Sequence, residues 1–364
     1  MTTSWLLLAT HVPPSGQRGG MVRYVVELAR SLEAHPDVAL SVLTTPGARP
    51  FFNELLKDES RVLTLPGLPT TLRSVFERHG CGASTFRRDF DVVHGTKHLL
   101  PRRVRGRGVL TVHDLLPMDR PQDFGSLKRR ALVGPYRASV RDADVLLCVS
   151  AATRTRLLAD SPEVASRACV VPLAVSSALR TAVGRPVGPL EGRRFALVVG
   201  DASPRKNLAH VVDAWEKVVD RDPDAVLAVV GPGGWGVDDR GARFDQLVRQ
   251  GSVLPLGEVS DGALRWCYEH ARVVACPSLL EGFGLPAVEA LHFSAPLVTS
   301  DDPALVEASG TAVLHLPADQ SAPWTQALAA ALARPRPSGT AAATRSWDDV
   351  AEETVRAVLS SARS

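Results

Sequence analysis

Two carboxylates eight positions apart, Glu281 and Glu289, bracket a glycine-rich turn in the run Pro-Ser-Leu-Leu-Glu-Gly-Phe-Gly-Leu-Pro-Ala-Val-Glu-Ala at 277–290. The segment Gly282-Phe283-Gly284-Leu285 reads as a turn that opens a helix, with two glycines letting the backbone come close to a ligand. The first N–H groups of a helix lack internal partners and its dipole favours an anion, so a phosphate fits there. On this reading Glu281 sits on the loop rim and Glu289 one to two turns into the helix. The pair can then accept hydroxyls at opposite ends of a polar ligand such as a sugar nucleotide. The plainer alternative makes Glu281 a cap and places Glu289 on a solvated helix face.

A second constellation lies in Val-Val-Gly-Asp-Ala-Ser-Pro-Arg-Lys-Asn-Leu at 198–208, where an apolar strand ends at Gly200 and a helix begins near Asn207. Arg205 and Lys206 fall in the turn between them. Ligands of open parallel sheets bind beyond the carboxyl ends of strands, so a planar fork and a point charge there suit a diphosphate. In the amino half, Gly19 and Gly20 close a loop and open a helix. A dinucleotide-binding loop is the rival reading, but a third glycine and an acidic end to the second strand (Ser-Val-Leu-Thr-Thr) are both missing. His113 and Asp114 close the strand 109–112, where functional groups collect; Asp114 also suits a cap on the next turn. Lys97 and His98 follow another strand end. Asp301-Asp302 and Asp348-Asp349 read as turn and helix-start residues, and no Asp-x-Asp stands out as a metal-diphosphate site.

These groups need elements to hold them, and the chain alternates strand and helix in the manner of layered α/β domains. Strands are expected near 5–10, 38–43, 61–65, 91–94, 108–112, 144–149 and 168–171, with helices near 20–33, 126–141 and 150–159. After a Pro- and Gly-rich break at 178–193, strands near 195–199, 225–230, 252–256, 272–276 and 296–299 alternate with helices near 207–219, 238–250, 260–270 and 284–293. A last helix is expected at about 347–361. The 364 residues are 45% apolar, enough for two domains with cores of their own. No run of eighteen apolar residues is present, and Trp5–Ala9 reads as a buried strand rather than a signal peptide, which points to a cytoplasmic protein. Five cysteines without paired spacing suggest reduced thiols and no zinc site.

Residues 1–180 carry 25 Lys and Arg against 16 Asp and Glu, and the rest 17 against 23, so +9 and −6 make the net +3. The basic half includes Arg87, Arg88, Arg102, Arg103, Arg105 and Arg107, a cluster suited to an anionic membrane surface or, more plainly, a solvated basic face. Nucleic acid is not expected, because no aromatic residues interleave with the charge.

The stretches 195–208, 227–236, 253–258 and 271–289, in that order and spacing, resemble the carboxyl half of retaining GT-B glycosyltransferases of family 4. The resemblance extends more weakly to Gly19-Gly20, 92–96, 109–114 and 144–150. It implies an α/β fold of two Rossmann-like domains facing across a cleft: an acceptor-binding domain at 1–178, a linker at 179–194, a nucleotide-sugar domain at 195–345, and a final helix at 346–364 crossing back to the first domain. It implies a nucleotide diphosphate sugar as donor, a glycan, lipid-linked or small-molecule acceptor, and no cofactor or metal. Arg205, Lys206 and the N–H groups around Gly282–Leu285 would neutralise the departing diphosphate, Glu281 hold sugar hydroxyls, Glu289 hold the ribose, and His113 orient the transferred sugar. Gly200 would lie near the donor and Gly19 and Gly20 near the donor phosphate or the acceptor, while Lys97 and His98 line the acceptor side. The run His113-Asp114-Leu115-Leu116-Pro117 is similar to that of members using GDP-mannose, so mannose is favoured over UDP-hexoses. Two alternatives remain: a nucleotide-sugar epimerase of the same fold, and a non-catalytic nucleotide-binding subunit.

Overall fold

The computed structural model of the chain describes residues 2–16, 19–65, 78, 89–102, 104–233, 241–336 and 345–360. They form two compact units: Met1–Leu173 with Arg345–Ser364, and Ala174–Thr344.

Unit 1 is built on seven strands: β1 (Thr3–Leu8), β2 (Val38–Thr44), β3 (Val62–Thr64), β4 (Val92–Gly95), β5 (Arg107–Val112), β6 (Val145–Cys148) and β7 (Ala168–Val170). Their order across the sheet is β3-β2-β1-β4-β5-β6-β7, and all pairs are parallel. Strands covered on both faces become continuous apolar runs, as in Trp-Leu-Leu-Leu of β1 and Val-Leu-Leu-Cys of β6. The helix Gly19–Ala34 packs a face that includes Val22, Tyr24, Val25, Leu28 and Leu32. Helix Trp347–Ser360, the last of the chain, belongs to this unit. It buries Trp347, Val350, Ala351, Val355 and Val358, sets Trp347 edge-on to Tyr24 and joins His35 to Glu352 at 3.1 Å.

Unit 2 holds β8 (Phe195–Val199), β9 (Val226–Val230), β10 (Val253–Gly257), β11 (Val273–Cys276), β12 (Leu297–Ser300) and β13 (Leu314–Leu316), again all parallel, in the order β10-β9-β8-β11-β12-β13. One core layer packs Trp215 and Trp324 under the helices Leu208–Val219 and Ser321–Ala333. The other packs Phe195, Trp266 and Tyr268. The segment 178–193 carries the end of helix Ser177–Thr181 and a short turn at Gly188–Leu190, with Leu179 and Leu190 buried in the second layer. Among the described residues, no helix is long and apolar enough to cross a membrane.

Candidate functional site

In each sheet the strand order reverses once, between β1 and β4 in unit 1 and between β8 and β11 in unit 2. Such a reversal leaves a crevice beyond the carboxyl ends of the strands. In unit 2 the two loops at that point are the ones carrying the sequence motifs: β8 runs into Gly200 and the Arg205-Lys206 turn, and β11 into 277–284.

The two loops are bolted together by main-chain and side-chain bonds. Pro204–Lys206 make a single 3-10 turn, and Asn207 follows in the left-handed region at φ 56, a conformation Asn tolerates better than most residues. From there its Nδ2 donates to Pro277 O at 3.1 Å and to Ala318 O at 2.8 Å. Leu279 N donates to Arg205 O at 2.8 Å, and Ser300 Oγ to Ser278 O at 2.5 Å. Residues 75 positions apart in sequence are thereby held in register.

Into this frame Glu281 brings both cations. Lys206 Nζ donates to its Oε1 at 2.5 Å, Arg205 Nη1 to its Oε2 at 3.1 Å, and Ser278 Oγ to Oε1 at 2.7 Å. Expected on the rim, Glu281 is instead only 7% exposed. Burial pushes its carboxyl upward, but Lys206 and then Arg205, with the hydrogen bonds from Lys206 and Ser278, overcome this and pull it down from 4.5 to about 2. The physical reason for the correction is charge: a carboxylate met by two cations tolerates a buried place that an isolated one would not. The trio keeps one positive charge in excess. Asp201, which accepts from Ser203 Oγ at 2.6 Å, lines the same recess with Gly200, Lys206, Cys276, Ser278 and Glu281.

The turn that follows depends on Gly284, at φ 92 immediately before helix Leu285–His292. A Cβ there would meet Leu305 Cδ2 at 2.8 Å. Gly200 lies at φ 152, with the Lys206 stem 3.2 Å from where a Cβ would stand, so the lysine runs across bare backbone. Phe283 is buried, and Gly282 and Leu285 are half-buried. Glu289 is on the inward face of the helix, 4% exposed, and accepts from Tyr268 Oη at 2.7 Å. It therefore does not lie on a solvated face.

In unit 1, His113 stands half-buried at the end of β5, its ring 4.7 Å from Tyr24 and perpendicular to it. Its Nε2 lies 3.0 Å from Thr96 O. A carbonyl can only accept, so Nε2 carries the proton; burial keeps the imidazole below its ordinary range, assisted by Lys97 and opposed by the Thr96 carbonyl and Asp114. The neutral ring then presents Nδ1 as an acceptor. Asp114 caps the next turn, accepting from Leu116 N at 3.1 Å. His98 is pushed down to about 4 by burial and by Lys97. Gly19 and Gly20 are exposed at the start of their helix.

Of the arginines in the basic cluster, Arg87, Arg88 and Arg103 lie outside the described residues. Arg105 pairs with Asp89 at 3.0 Å, and Arg107 donates to Val358 O. Asp302 caps helix Pro303–Ser309 and Asp349 accepts from Ser346 N and Oγ, both as expected of helix starts. Sequence reasoning missed Ser278, Asn207 and Tyr268. Ser278 was visible three positions before Glu281, and Asn207 as a residue tolerant of positive φ between a turn and a helix.

Two all-parallel, doubly wound sheets, each with loops gathered at its reversal point, define a GT-B protein. A solved structure of Anabaena Alr3699/HepE in complex with UDP and glucose has this fold: TM-score 0.67, 17% identity, covering 99% of this chain and 95% of that one. The family model for Glycosyltransferase Family 4 matches residues 18–179 and that for Glycosyl transferases group 1 matches residues 184–339. The chain belongs to the family 4 glycosyltransferases of the GT-B fold. Among curated proteins it is similar to the O-antigen chain mannosyltransferase B of Escherichia coli, 29% identical over 230 residues, covering 61% of this chain and 60% of that protein. It is also similar to the MMP alpha-(1->4)-mannosyltransferase of Mycolicibacterium hassiacum, 32% identical over 246 residues, covering 62% and 56%. The chain thus spans somewhat over half the length of these relatives.

Proposed function

We propose that the protein is a retaining hexosyltransferase that takes mannose from a nucleotide diphosphate sugar, GDP-mannose before UDP-hexoses, and passes it to a glycan, lipid-linked or small-molecule hydroxyl. The observation that carries the reading is the Arg205–Lys206–Glu281 cluster at the β8–β11 reversal, two cations held by one carboxylate beside a glycine turn and a helix start. The mannosyltransferase relatives favour the sugar.

In the proposed reaction the bond between the anomeric carbon and the diphosphate oxygen breaks, and the acceptor oxygen bonds to that carbon on the same face. The acceptor proton passes to a departing phosphate oxygen, so no separate base is required. Arg205 and Lys206 meet the negative charge that grows on the leaving group, and preorganised charge of this kind usually lowers the barrier more than any other single effect in catalysis. Glu281 holds the two cations in place and accepts from a sugar hydroxyl. Glu289 accepts from the ribose, and His113 Nδ1 is the acceptor that unit 1 offers to a sugar hydroxyl. The reaction proposed is independent of a divalent ion.

Contact with an anionic membrane belongs to the same proposal. Leu127, 82% exposed, and the exposed Lys128, Arg129 and Arg130 at the start of helix Ser126–Asp142 support it. Sedimentation with phosphatidylglycerol vesicles, lost when the three cations are reversed, checks it.

The test of the donor reading is a thermal-shift panel with GDP, UDP, ADP and dTDP, followed by release of nucleotide from the matching sugar in the presence of EDTA. One diphosphate is expected to raise the midpoint of the wild type and not of Arg205→Ala. A panel in which none raises it would sink the proposal.

A further inference from the structure

The proposed donor site contains a buried contact that the reaction above leaves unused. Tyr268, on helix Asp261–His270, is fully buried, and its hydroxyl donates to Glu289 Oε2 at 2.7 Å. The phenol is the donor and the carboxyl oxygen the acceptor, so the bond fixes which way that oxygen faces.

Two further contacts hold Tyr268 in place. Its ring lies against Phe293, 5.8 Å between centroids and 15° from parallel, and Phe293 follows directly on the helix that carries Glu289. Arg336 donates to Tyr268 O at 2.7 Å, Ala271 O at 3.0 Å and Phe293 O at 2.6 Å, so one guanidinium ties together the ends of both helices. The tyrosine, the phenylalanine and the two helix ends form one clamp on the carboxylate.

We infer that Tyr268 is a positioning residue that orients the Glu289 carboxylate so that it reads the ribose of the donor nucleotide. The inference rests on the nucleotide-sugar reading above and deepens it: the clamp is the device by which a ribonucleotide is told from a deoxyribonucleotide. A Glu side chain otherwise loses considerable rotamer freedom when it engages a ligand, and the Tyr268 bond removes that freedom beforehand.

The experiment titrates GDP and UDP, each beside its 2′-deoxy form, into the wild type and Tyr268→Phe, with thermal midpoints recorded for both proteins. The wild type is expected to bind one ribonucleotide better than its deoxy form. Tyr268→Phe keeps the ring and its stacking, and is expected to lose roughly five- to tenfold in affinity for the ribonucleotide while binding the deoxy form as the wild type does. A purely structural tyrosine would weaken both forms equally or move only the midpoint, and either result overturns the inference. So does a wild type that binds nucleotide without preferring ribose; the donor reading then stands and the clamp does not. A wild type that binds neither nucleotide overturns both. If Tyr268→Phe does not fold, Phe293→Leu removes the stacking and keeps the hydroxyl. It is expected to lower the ribose preference too, and an unchanged preference counts against the clamp.

Discussion

Glu281 is charged because of its neighbours, and its neighbours are held because it is charged. Replacing Lys206 by Met leaves one cation and is expected to weaken nucleoside diphosphate binding at least tenfold in calorimetry, since a charged hydrogen bond contributes about 1.5–3 kcal/mol. The acid behaviour follows from the depressed carboxyl. The folded form releases its proton near 2 and the unfolded chain near 4.5, so the stability due to this group is fully present above 4.5 and is lost as pH falls toward 2. Urea midpoints of the wild type should therefore fall between pH 4.5 and 2.5, and Glu281→Gln should remove that part of the fall. The types and spacing of Arg205, Lys206, Glu281 and Glu289 were legible in the sequence because each motif is a short contiguous run. Their mutual pairing was not, since nothing local joins residue 206 to residue 281; that needs β8 and β11 side by side. Nor could Tyr268 be tied to Glu289 from periodicity, because a buried tyrosine on an amphipathic helix looks like any core aromatic.

At the scale of elements, the turn before helix Leu285–His292 has little tolerance. Gly284→Ala places a Cβ in a left-handed backbone and 2.8 Å from Leu305. A loss of about 1–3 kcal/mol in unfolding free energy is expected, with weaker diphosphate binding from the displaced helix start. Wild-type binding in a folded Gly284→Ala protein would show the turn geometry to be unimportant. The strands were easy to read because parallel strands buried on both faces are unbroken apolar runs; β8 spans 195–199 as expected and β9 spans 226–230 against 225–230. Several elements escaped, among them the helices Arg49–Leu56, Leu116–Asp119 and Ser177–Thr181 and three elements late in unit 2. Ser321–Ala333 is so rich in alanine that apolar and polar positions do not alternate with a helical period. Pro303–Ser309 is barely two turns, although Asp302 and Pro303 marked its start. β13 is three residues with Leu314 exposed, too short for a pattern of any kind.

For the molecule as a whole, burial holds histidines of both units below their ordinary range, among them His210 and His292 in unit 2. His94, fully buried in unit 1, is pushed down to about 3 by burial first and then by its neighbour His113, and His98 to about 4. The unfolded chain takes up these protons near pH 6.5 while the folded one resists, so stability drops as pH falls below 6.5, by at most about 1.4 kcal/mol per pH unit for each histidine. Denaturation followed from pH 7.5 to 5 is expected to show this fall, and His94→Gln to flatten it. Trp347→Ala should cost about 3–5 kcal/mol of unit 1 stability, because the ring is buried against Tyr24.

Helix Trp347–Ser360 has a further consequence, which concerns the order of synthesis. Unit 1 consists of two pieces of chain separated by all of unit 2. A ribosome delivers residues 1–173 first, yet the sheet they form lacks one of its covering helices until the codons for 347–360 are read. Residues 174–344 emerge with every strand and helix of their own unit already in hand. The half that is translated second is thus the first able to complete its core. The half translated first must wait with an apolar face uncovered, a period in which chaperones and proteases have access to it and which lasts as long as translation of the intervening half.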